Sequence, residues 1–88
     1  MDSNSEVKTK KVGVVSHYFG NIGVAAVKLT DILKVGDKVK FVGATTDFEE
    51  IVGSMQKDHA SVDKAVSGDE VGIKVKDKVR DGDRVYLI

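Results

Sequence analysis

Cysteine, proline and tryptophan are all missing from the 88 residues. Without cysteine there is no disulfide framework and no thiolate metal site. Without proline, glycine alone must punctuate strands and turns. Aromatic residues make up only 6% of the chain, so any core is aliphatic. No apolar run approaches the roughly 18 residues that span a bilayer. The N-terminus also lacks the apolar stretch of a signal peptide, and the expectation is a cytoplasmic protein. Net charge is zero, which argues against coating nucleic acid by bulk electrostatics. The charge is uneven, however: residues 1–43 carry seven lysines against four acids, and residues 44–88 seven bases against ten acids. One basic face therefore remains open.

What is present is a repeated tetrad, Gly-Asp-x-Val, at Gly36–Val39, Gly68–Val71 and Gly82–Val85. Glycine can take the positive φ of a tight reversal, and aspartate can bond backbone amides just ahead of it. After each tetrad, apolar residues alternate with polar ones: Val39 and Phe41, then Val71, Ile73 and Val75, then Val85 and Leu87. That is the period of half-buried strands. Three turn-then-strand starts in so short a chain mark an all-β domain. Residues 1–9 read as a disordered tail and residues 10–88 as one domain, since a second domain needs a longer chain.

Along the chain, Val12 to Tyr18 reads as a first strand, with Phe19-Gly20-Asn21 as the reversal. Ile22 to Leu29 is a second strand, in which Gly23, Ala25 and Ala26 suit close packing. Thr30 to Val35 is a connection, and Asp47 to Lys57 a further strand. Val52 and Met55 are three apart there, so alternation cannot put both on one face. A bulge near Gly53 that re-phases the strand is favoured over leaving Val52 outside. Within the polar stretch Asp58 to Ser67, Val62 and Ala65 are core plugs. The expected fold is a small closed six-stranded β-barrel, because closure removes exposed edges. Val14, Val27, Val39, Phe41, Val71, Ile73 and Val85 are expected inside it.

Leu33–Val39, Val52–Met55 and Ala65–Ile73 together resemble the second domain of translational GTPases such as elongation factor Tu. His17-Tyr18-Phe19, Thr45–Phe48, Ser54-Met55-Gln56 and Asp69–Ile73 are similar to signatures of small stand-alone translation-elongation-factor-like proteins. A similar barrel also ends some collagenase-like peptidases. The resemblance covers about residues 10 to 88 and implies a Greek-key barrel that works near translation. It further implies an RNA partner, transfer RNA or ribosomal RNA. The chain departs from the GTPases in having no G-x-x-x-x-G-K-[ST] loop, so neither GTP nor any other cofactor is expected.

The stretch His17-Tyr18-Phe19-Gly20-Asn21, with Lys10, Lys11 and Lys28 near in sequence, is the candidate binding surface. Adjacent aromatics on a strand face opposite ways, so one ring turns outward. That ring either stacks on a base beside lysines that hold phosphate, or simply covers the barrel end. Lys10, Lys11, His17, Tyr18, Phe19, Asn21 and Lys28 are accordingly the proposed RNA- or partner-binding residues. The Thr45-Thr46-Asp47 turn either adds polar contacts or only stabilises its own reversal. His17 and His59 lie in no metal-ligand spacing, and His59 reads as a surface hydrogen-bonder. Asp77, Asp81 and Asp83 do not follow the calcium-loop order and read as turn residues. The expectation is a monomeric, non-catalytic RNA-binding module of translation. The alternative is a protein-interaction adaptor that docks onto a larger enzyme or translation factor.

Overall fold

The computed structural model describes residues 10–88; the expected tail lies outside the described residues. The chain forms β1 (Lys10–Phe19), β2 (Val24–Leu29), β3 (Leu33–Lys34), β4 (Lys38–Val42) and β5 (Asp47–Ile51). There follow β6 (Met55–Lys57), β7 (Ala60–Ser61), β8 (Lys64–Ala65), β9 (Glu70–Lys74) and β10 (Arg84–Leu87). Eight strands make one sheet in the order β5-β4-β10-β1-β2-β9-β6-β7, and β3 pairs separately with β8. Every pairing is antiparallel. The inward side chains form one aliphatic core, in which Phe41 is the largest fully buried residue. Phe41 stacks on Phe48, its ladder partner, with ring centroids 5.1 Å apart.

The Gly-Asp tetrads are three copies of one device. In each, the aspartate N–H donates to the carbonyl three residues back, and the amide of that residue donates to the aspartate Oδ2. The residue pairs are Lys34 with Asp37, Val66 with Asp69 and Arg80 with Asp83, all at 2.8–3.1 Å. The intervening glycines have φ of 99°, 94° and 89°, which the third position of a type II turn requires. Each turn then docks on a buried apolar residue through two reciprocal bonds. Gly36 N–H donates to Val52 O, and Val52 N–H to Asp37 O. Leu29 meets Gly68 and Asp69 in the same way, and Val15 meets Gly82 and Asp83. The motif that repeats in sequence thus fastens three separate places of the core.

These bonds explain where the expected strands break. The Asp47–Lys57 segment is two strands, β5 and β6, because the Gly36-Asp37 turn takes both backbone groups of Val52. Val52 and Met55 are both buried, but the break between strands achieves this rather than a bulge within one. β5 and β6 consequently join different neighbours, β4 and β9. The expected closed six-stranded barrel is corrected on the same ground. The hydrogen-bonded order starts at β5 and ends at β7, with no ladder joining those two among the described residues. The split of Asp47–Lys57, together with the short strands β3, β7 and β8 outside the six expected ones, raises the strand count to ten among the described residues.

Two bulges in β1 re-phase its alternation. The register with β10 shifts between Lys11 and Gly13, so Val12 and Gly13 are both buried. Six of the seven expected core residues are buried, whereas Val14 is only half-buried, and this shift is the reason. Only glycine fits at position 13: a Cβ there would lie 2.7 Å from Val27 Cγ1 and 2.9 Å from the Lys28 carbonyl oxygen. The second shift, between Val15 and His17, sets Ser16 aside and fixes which way the aromatics point.

Candidate binding groove

After that second bulge, His17, Tyr18 and Phe19 stand opposite Ala26, Ala25 and Val24 of β2. Ala25 is buried in the core, so Tyr18, sharing its face, turns inward and packs against the core. His17 and Phe19 take the outward face. Their rings meet edge-on, with centroids 4.4 Å apart, and Phe19 is 43% exposed. The expectation that one ring of the Tyr18–Phe19 pair turns outward is met by Phe19.

The ladder extends this row across four strands. His17 faces Ala26, Ala26 faces Gly72 of β9, and Gly72 faces Gln56 of β6. Small residues in the middle and longer ones at both sides make a trough. Its volume is about 520 Å³, with Phe19, Ile22 and Val24 toward one end and Asp58, His59 and Glu70 among the other lining residues. Glu70 is held by the Ser16 hydroxyl, which donates to Oε2 at 2.5 Å. Asp58 and His59 form the two-residue turn between Lys57 and Ala60. Their φ values, 53° and 66°, are those of the turn that matches strand twist. Asparagine and glycine adopt it at lower cost than histidine does.

The other residues expected at the site lie elsewhere. Lys10 and Lys11 sit at the far end of β1, about 25–30 Å from Phe19 at the rise of a strand. Lys10 Nζ lies 2.8 Å from Asp31 Oδ2. That ammonium, and then the Ile32 amide, hold the Asp31 carboxyl below the usual carboxylate range. Lys28 is exposed opposite Glu70 in the ladder, and Asn21 is exposed in the β1–β2 turn; neither lines the trough. His59 stands across the trough from His17, although 42 positions separate them. Among the described residues, no three His, Asp or Glu side chains gather in a way that could hold a metal ion. Thr46 is buried and lines a separate cavity of about 280 Å³ with Asp77, Lys78 and Arg80. Asp77 and Asp83 accept backbone amides of their own turns, as expected of turn residues.

The family described as Elongation factor Tu domain 2 matches residues 32–86, well over half of the chain. The chain belongs to the elongation factor Tu domain 2 family. The curated relatives it matches are named as a protease and as collagenases. An uncharacterized protease of Methanocaldococcus jannaschii is 40% identical over 85 residues, 96% of this chain but 21% of the protease. A collagenase of Porphyromonas gingivalis is 36% identical over 81 residues, 85% of this chain and 21% of the collagenase. The chain thus spans about a fifth of the length of the curated relatives it matches. The fold is also that of the C-terminal domain of a protein named as a U32 peptidase in Geobacillus thermoleovorans. Its crystal structure matches with a TM-score of 0.85 and 23% identity, over 94% of this chain and 99% of that one. The selenomethionine form of the same domain gives 0.83.

These relatives correct the expected function. The domain-2 resemblance holds for the fold, but the stand-alone translation factor does not, because the matching proteins are a protease, a collagenase and a U32 peptidase domain. The RNA-binding role in translation, with transfer RNA, ribosomal RNA or a translation protein as partner, falls with it. The trough points the same way. Its charged lining residues are Asp58 and Glu70, and two carboxylates repel a phosphate backbone.

Proposed function

We propose that this domain is a non-catalytic accessory module of a U32-type peptidase, contributing a binding surface rather than reacting groups. The observation that carries the reading is the 40% identity over nearly the whole chain to a protease of which it covers only a fifth. The local chemistry supports the non-catalytic part. Nucleophilic catalysis needs a hydroxyl bonded to a base that a third group orients. The Ser16 hydroxyl, which meets the trough lining at Glu70, donates its proton to that carboxylate rather than to a histidine. Asp37, Asp69 and Asp83 are spent on their turns.

The test is a domain exchange. The matched segment of the Methanocaldococcus jannaschii protease is deleted, or replaced by this chain, and cleavage of casein and of a short chromogenic peptide is measured. The isolated chain is expected to cleave neither. Replacement is expected to retain casein cleavage that deletion weakens, mainly through KM. Cleavage by the isolated chain, or identical kinetics of deletion and replacement, would overturn the reading.

A further inference from the structure

The outward trough of β1, β2, β9 and β6 is apolar at one end and acidic at the other. Ladder register fixes this polarity. Phe19 faces Val24, two residues from the His17–Ala26 pair, with Ile22 in the adjoining turn. Glu70 lies two residues from Gly72 on the opposite side of that row. β6 runs antiparallel to β9 with Gln56 opposite Gly72, so Asp58 falls at the same end as Glu70. Lys28, the ladder neighbour of Glu70, faces the same side without lining the trough.

We propose that this trough docks an extended segment of a separate polypeptide, one with an apolar side chain and a lysine or arginine about two to four residues apart. The spacing follows from the strands. Val24 and Lys28 bracket the two ends, and four residues of strand span about 13 Å, the reach of a similar length of extended peptide. The apolar residue packs on Phe19 and Ile22, which are 43% and 56% exposed and adjoin Val24 in one patch. Scattered exposed apolar residues are ordinary on proteins, but a contiguous concave set marks a binding site. The cation is placed by Asp58 and Glu70, the charged residues that line the trough. Concavity favours an inserted segment over the broad face of a neighbouring domain, which would leave the floor at Ala26 and Gly72 unfilled. The choice of polypeptide over another apolar ligand rests on the peptidase-module reading.

The test is selection of a displayed random heptapeptide library on the full chain. Selected sequences are expected to carry the apolar–cationic spacing, and one of them, synthesised, serves as the probe in titrations. Phe19→Ser and Gly72→Leu, which remove the anchor and fill the floor, are expected to weaken the probe at least about tenfold. Asp58→Asn with His59→Gly keeps the hairpin and is expected to weaken cationic peptides selectively. No enrichment over the Gly72→Leu variant overturns the proposal. So does enrichment of acidic peptides, or displacement of the probe by an oligonucleotide. Failure here alongside a successful domain exchange overturns the groove alone. Success here with a failed exchange overturns only the peptidase reading.

Discussion

Over β4 and β5 the outward face carries Lys38, Lys40, Asp47 and Glu49, joined by two diagonal ion pairs. Lys38 meets Glu49 at 3.1 Å, and Lys40 meets Asp47 at 3.5 Å. Over β1, β2 and β9 the outward face has an apolar middle of Phe19, Val24, Ala26 and Gly72, and its charged residues Lys28, Glu70 and Lys74 form no ion pair with one another. Both regions belong to one sheet and share one core, so the inward packing does not dictate the difference. β5 is an edge strand, and charges there discourage pairing with another chain. β1, β2 and β9 are interior strands whose edges are already paired. They need no such guard, and their outward side chains are left free to form a surface for something else. The contrast teaches where paired charge serves the fold and where an apolar floor serves contact.

The largest expected difference between the two regions is at their glycines. Gly43 follows β4, and a Cβ there would lie 1.9 Å from Asp83 Oδ1. Asp83 is buried and clamped by the Arg80 amide, so it has little room to yield. Gly43→Ala is expected to cost about 3 kcal/mol and to lower Tm by more than about 10 °C. A Cβ on Gly72 meets only Val24 Cγ1 at 3.2 Å, a side-chain methyl at an open surface. Gly72→Ala is expected to change stability by less than about 0.5 kcal/mol. Thermal unfolding followed by circular dichroism checks both. Equal losses would show that the trough floor is as tightly built as the β4 end.

Next is the hairpin that walls the trough. Asp58→Asn with His59→Gly supplies the residues that positive φ favours, and is expected to raise stability by about 0.5 to 1 kcal/mol. A Tm rise of about 4 °C would follow for a domain of this size. The same variant is expected to bind the selected cationic peptide more weakly. A gain in stability with binding untouched would mean that the strained turn does nothing for the surface.

The acid response separates the regions more finely. Asp69 accepts from the Val66 amide and its Oδ1 lies 2.9 Å from Lys57 Nζ, tying β6 to the turn that precedes β9. The Val66 amide first, and then the Lys57 ammonium, hold the Asp69 carboxyl below its ordinary value. The lowered native value means that the stabilisation is complete above the unfolded value, about pH 4, and is lost as pH falls through the native one. Asp69→Asn is expected to lose less Tm than wild type between pH 5 and acid conditions of about pH 2–3. Parallel curves would show that the clamp makes no difference to the carboxyl.

Much of the frame was legible because it is local. A Gly-Asp turn is written in four consecutive residues, and all three turns form as their chemistry dictates. Alternation after each turn likewise placed Val39, Phe41, Val71, Ile73 and Val85 inside. Val14 was misplaced because a bulge is decided by the partner strands: Gly13 has to face Val85 and Leu29. The break at Val52 was hidden for the same reason, since the Gly36-Asp37 turn that consumes its backbone lies fifteen residues away. Of the site, period two alone says that Tyr18 and Phe19 point opposite ways, and the bulge between Val15 and His17 decides which of them turns outward. Nothing local joins His17 to Gly72 or His59. The one available trace was smallness, Ala26 and Gly72 amid strands of larger residues, and Ala26 read instead as close packing.

The smallest expected effect is at the ion-paired face itself. Lys38 and Lys40 are 54% and 38% exposed at their side chains, so solvent screens both pairs and each lysine spends rotamer freedom to make its bond. Lys38→Ala with Lys40→Ala is expected to cost less than about 1 kcal/mol, and less again in 1 M salt, where the screening length falls to about 3 Å. Their service as edge guards predicts a different consequence. With the lysines gone, Asp47 and Glu49 still discourage pairing through mutual repulsion, so the double variant should stay monodisperse. Replacing all four charges with threonine removes the guard and keeps strand propensity. That variant is expected to self-associate with its melting temperature nearly unchanged, as light scattering would register. If it remained monodisperse, charge over β5 would not be what keeps the edge from pairing, and the contrast with the apolar floor of the trough would lose its cause.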